Sequence, residues 1–180
     1  MKYLNAFLRA AALLASATTV SAHVVLEDQA ALAGSSYRAT FRVGHGCDGS
    51  PTTAIRVFLP VGVRGAKPSP KPGWTLAVRR ETLAQPYSSH GKTVREDVVE
   101  VSWTASSPAS FLQDDWYDEF VLRATLPEQA GALWFRVEQG CVQGRLDWAE
   151  IPAQGTSTRG LKAPAVLLEV LPSGAPAHAH

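Results

Sequence analysis

Apolar residues alternating with polar ones at a period of two, in short runs cut by turn residues, limit what this chain can fold into. Tyr37, Ala39, Phe41 and Val43 form one run, and Ile55, Val57 and Leu59 form a second that stops at Pro60. Trp74, Leu76 and Val78 follow, then Val99, Val101 and Trp103, then residues 120–124, then Leu133, Phe135 and Val137, and last residues 166–170. Successive strand side chains point to opposite faces, so each run describes a strand with one face in a core. Between them lie DGSP at residues 48–51 and KPSPKPG at residues 67–73, whose Asp, Gly, Ser and Pro residues close turns and end helices. No stretch longer than about ten residues carries a helical stripe free of Pro and Gly. The pattern predicts an all-β protein, a two-sheet antiparallel β-sandwich in which each sheet buries its apolar face against the other.

The start of the chain sets the compartment. Lys2 and Arg9 flank a largely apolar run over residues 10–17, followed by the small residues Ser21 and Ala22. A charged beginning, a short apolar middle and small residues at the cut describe a secretory signal peptide over residues 1–22. The run is too short, and too broken by Ser and Thr, for a permanent bilayer helix of roughly 20 apolar residues. The mature protein is therefore expected to begin at His23 and to be periplasmic or secreted, with no membrane contact after cleavage. Residues 23–172 have the size of one domain, and residues 173–180, rich in Ala, Pro and His, read as a flexible tail.

The formal net charge is +1 and the basic residues are scattered, so no phosphate-binding stripe or polybasic membrane patch is visible and nucleic acid is excluded as a partner. Two cysteines, Cys47 and Cys141, in an exported chain predict one disulfide. Lacking a Cys-x-x-Cys spacing, they supply too few ligands for a closed thiolate metal site.

Cleavage after Ala22 creates chemistry that an internal histidine lacks. The α-amine and the imidazole Nδ1 of a terminal His23 can close a chelate ring on one ion. Two such nitrogens, completed by a carboxylate or water in a tetragonal set, suit copper(II) better than zinc, calcium or magnesium. The single methionine is Met1, which leaves with the leader, so a thioether site for copper(I) is not expected. A histidine left at the terminus by the accident of the cut would do none of this, and His23 alone does not decide the matter.

Longer strings do bear on it. HVVL at residues 23–26, HGCDGSPTTA at 45–54, KPGW at 71–74, YDEF at 117–120 and WAEIP at 148–152 resemble, in order, the YcnI-type extracytoplasmic copper-binding domain family. The resemblance implies an immunoglobulin- or cupredoxin-like sandwich that holds Cu(II) in a brace built on a single histidine. Carried onto this chain, His23 would give its amine and Nδ1, Glu119 a carboxylate, and Trp148 a ring against the metal. Glu150 is the alternative carboxylate, since in a strand it would share a face with Trp148. The general chemistry agrees: one carboxylate offsets part of the charge of a divalent ion near apolar surroundings, and an aromatic face attracts a cation. Read without the resemblance, Glu119 is equally an exposed strand-end charge and Trp148 a core residue.

The expectation is an exported copper(II)-binding protein acting in copper homeostasis or delivery, with another exported copper protein as donor or receiver, and not an enzyme. A copper-dependent oxidative polysaccharide-cleaving enzyme would need a second histidine; His45 and His90 are the candidates, both in turn-like sequence. The other rival is a metal-free β-sandwich that recognises partners through its loops. His178 and His180 offer only a weak compositional hint of metal binding. Neither a Gly-x-Ser-x-Gly elbow nor a His-Glu-x-x-His helix motif occurs.

Overall fold

The structure, a computed structural model, describes residues 23–174. The expected signal peptide and residues 175–180, including His178 and His180, lie outside them. The described chain forms strands β1 (Val25–Leu26), β2 (Ala30–Leu32), β3 (Ser36–Val43), β4 (Thr52–Phe58), β5 (Arg64–Pro68), β6 (Trp74–Ser89), β7 (Lys92–Ala105), β8 (Asp118–Thr125), β9 (Gly131–Cys141), β10 (Arg145–Trp148) and β11 (Val166–Leu171). Among the described residues the single helical element is a 3-10 turn at Pro108–Ser110. No helix among them is long and apolar enough to cross a membrane.

These strands make a β-sandwich. A four-stranded sheet runs in the order β1-β3-β8-β5, and a seven-stranded sheet in the order β2-β11-β9-β4-β7-β6, with β10 added to β9. The pairings are antiparallel except β2 with β11, which run parallel, so the antiparallel expectation holds for all but that one edge. One side of β9 is shared by two strands along its length. Its first half pairs with β11, Phe135 opposite Val166, and its second half with β10, Val137 opposite Trp148.

The alternation read from the sequence produces the core. Phe41 and Phe120 come from one sheet, Phe135, Val137 and Trp103 from the other, and all are fully buried. Aromatic rings join the layers edge-on. Phe41 meets Phe135 at 5.5 Å between centroids, and Phe120 meets Trp74 at 5.0 Å and Trp103 at 5.6 Å. Each such pair contributes about 0.5–1.5 kcal/mol beyond the area it buries.

The pattern fails where β6 and β7 leave the core. Opposite the Arg79–Arg80 step the pairing jumps from Glu100 to Val98. Val99 is the extra residue of this bulge and is only half-buried, and Val98 takes the inward position instead. Val78, expected to face inward, is 44% exposed on the edge strand β6.

Candidate metal centre

The expected disulfide is present. Cys47 and Cys141 are bonded across a sequence separation of 94, tying the segment after β3 to the end of β9. Asp48 and Gly49 both have positive φ, at 49° and 84°, and Cys47 and Ser50 exchange backbone hydrogen bonds around them, so the DG pair makes a tight two-residue turn. Gly46 is needed for closeness: a Cβ there would stand 1.9 Å from the backbone oxygen of Ser50. The Gly46 N–H donates to Asp114 Oδ1 at 2.8 Å.

This turn carries His45 toward Trp148. The His45 ring centroid lies 6.1 Å from that of Trp148, and the His23 ring lies 5.6 Å from it. Strand pairing explains the meeting. Val25 of β1 lies opposite Arg42 of β3, so the residues just before β1 run beside those just after β3, where His45 lies. Trp148, 1% exposed at the end of β10, packs beneath both histidines.

A polar network fixes the tryptophan. Gln139, itself 1% exposed, accepts from Trp148 Nε1 at 3.1 Å. Its amide nitrogen donates to the His45 carbonyl at 2.7 Å and to Thr52 Oγ1 at 2.8 Å. Buried amides persist where their bonds are made, and here they tether indole, His45 backbone and strand β4 together. Gln139 was missed in the sequence. Its signal was a polar residue in the inward register of β9, next in the alternation after Phe135 and Val137.

The two carboxylate candidates lie at the surface. Glu119 of β8 stands in a cross-strand row with Val25 and Arg42 on the outer face of the four-stranded sheet. Its Oε1 accepts from the Tyr117 hydroxyl and lies 3.6 Å from Arg42 Nε. Burial, then the bond to Glu119, push the Tyr117 hydroxyl above its ordinary pKa, which keeps it a donor. Glu150 lies just beyond the end of β10, is exposed, and its Oε2 accepts from the Lys162 N–H at 3.1 Å. His90 sits exposed at the tip of the β6–β7 ribbon, with a φ of 48°.

Among the described residues no three His, Cys, Asp or Glu side chains cluster closely enough to hold an ion. A metal at Trp148 therefore has to draw on a donor outside those side chains, which is what a free amine at His23 would supply. Beside His23 a groove of about 520 Å³ opens, lined by Leu26, Gln29, Thr158, Arg159 and Val166 among others.

Two sheets of this topology closed over an aromatic core define an immunoglobulin-like β-sandwich. The chain belongs to the DUF1775 family, a domain of unknown function, matched over residues 23–170. YcnI-type domains belong to the same family. Among solved structures, the chain is similar to an uncharacterized protein from Nocardia farcinica with an immunoglobulin-like fold, at 29% identity and a TM-score of 0.64, over 82% of this chain and 97% of that one. It also aligns with a type I cohesin of ScaB from Pseudobacteroides cellulosolvens at 9% identity and a TM-score of 0.42, over 88% of this chain and 97% of that one. A search of curated proteins found no match.

Proposed function

We propose that this is an exported copper(II)-binding protein that grips the ion through a mature N-terminal His23 and buffers it or passes it to another exported copper protein. The observation that carries the reading is the His23 ring packed 5.6 Å from Trp148, at the residue where the family's domain begins. An amine and an imidazole on one residue close a chelate ring, and nitrogen donors of this kind favour copper(II). The amine must lose its proton to bind, so affinity falls as the medium turns acidic. Trp148 would shield a bound ion from water and offer the cation a π face.

Glu119 is the proposed carboxylate, because its row on the four-stranded sheet ends at Val25, two residues from His23. To ligate, it exchanges Arg42 and Tyr117 for the ion. No catalytic step is proposed.

Equilibrium dialysis of the mature chain against copper(II) tests the reading. One ion per chain is expected, with affinity falling at least tenfold in His23→Ala or after acetylation of the terminal amine. Unchanged affinity in both would overturn it. Mass spectrometry of the exported protein checks the premise, since a first residue other than His23 removes the chelate.

A further inference from the structure

His45 has the arrangement of a ligand waiting for an ion. Its Nδ1 lies 2.5 Å from the Gly46 carbonyl oxygen. A carbonyl can only accept, so Nδ1 carries the proton and Nε2 is left with a bare lone pair. That Nε2 is buried from solvent and has no hydrogen-bond partner. Leaving a buried acceptor unpaired costs about 1–3 kcal/mol, and native structures rarely do so without a reason.

The indole beside it does not relieve it. Trp148, against whose ring His45 packs, gives its Nε1–H to Gln139. The backbone around His45 is also held from several directions. Gln139 binds its carbonyl, Asp114 binds the next N–H, and the disulfide anchors the residue after that. A ring whose Nδ1–H is fixed on a backbone carbonyl and whose Nε2 lone pair is free is the form in which histidine binds metals.

We infer that His45 supplies a second imidazole nitrogen, through Nε2, to the copper(II) held at His23. This rests on the proposed function and departs from the brace with one histidine that the family resemblance implies. The set becomes an amine and two imidazoles gathered at Trp148, which accounts for the unpartnered nitrogen. The carboxylate then becomes a supplementary donor, in keeping with Glu119 being engaged by Arg42 and Tyr117.

Electron spin echo measurements on the copper(II)-loaded mature protein count coupled imidazoles without any substitution. The wild type should show the combination lines of two imidazoles. His45→Phe, which keeps a ring against Trp148, should show one imidazole and bind copper(II) at least tenfold more weakly. His45→Gln guards against a packing artefact and should behave the same way. A wild-type spectrum with a single imidazole, with affinity unchanged in both variants, overturns this inference and leaves the His23 chelate standing. Failure of the wild-type mature chain to bind copper(II) at all overturns both.

Discussion

At one end of the sandwich the segment carrying His45 is fastened by the disulfide, by Gln139 and by Asp114, with Trp148 sealed beneath it. At the outer edge of the seven-stranded sheet, β6 and β7 run for 16 and 14 residues as a ribbon that is mostly exposed beyond Val78. Both regions are β-structure with bulged or tight-turned backbone, yet their polar groups are used differently. The ribbon's ion pairs, such as Arg79 with Glu100 at 2.8 Å, lie at the surface, where a pair contributes about 0–1 kcal/mol. The His45 end buries its polar groups and satisfies nearly all of them, which makes His45 Nε2 stand out. Burial raises the stakes of each bond, so the orphaned atom carries information there that it would not carry on the ribbon.

Breaking the tether tests this contrast most strongly. Replacing both cysteines, Cys47→Ser with Cys141→Ser, should lower unfolding free energy by about 4–5 kcal/mol in the chain-entropy model for so long a loop. Urea unfolding of the oxidised wild type and the double variant measures it, and a loss below about 1 kcal/mol would mean the segment is held without the disulfide.

Next in size is Gln139→Leu. It strands the Trp148 N–H and the His45 carbonyl in the interior, and should cost about 2–4 kcal/mol at about 1–3 kcal/mol per stranded group, partly relieved by repacking. Denaturant titration followed by tryptophan fluorescence reads the change, and a neutral result would show that the network does not fix the indole.

The smallest effect belongs to the ribbon. Tyr87 donates to the buried Asp97 at 2.7 Å. Burial, then that bond, push its pKa from 10.0 up to about 12. The folded value is the raised one, so the stabilisation is fully present below pH 10.0 and is lost as pH climbs through about 12. Tyr87→Phe should therefore be about 1 kcal/mol less stable near neutrality. The deficit should narrow across that alkaline window, as thermal melts at stepped pH would register. A deficit constant with pH would show that the hydroxyl is not titrating as described.

Much of the fold was legible in the residues. The runs at Tyr37 to Val43, Ile55 to Leu59 and Leu133 to Val137 became β3, β4 and β9, because burial on one face imposes a period of two that survives in the sequence. The alternation misled at Val78 and Val99, where an edge strand and a bulge changed what each residue faced. At the site, His23 and Trp148 were readable as partners only through the family resemblance, and the sequence did not show that β10 stops at Trp148, short of Glu150.

By itself, the sequence determined the strand pattern, the DG turn and the pairing of two cysteines. These follow from local rules of period, turn chemistry and cysteine number. The packing of His23 and of His45 against Trp148, the Gln139 tether and the unpartnered Nε2 were decided only by tertiary structure. They depend on which strands pair and in what register, and β1, β3, β9 and β10 bring together residues more than a hundred positions apart along the chain.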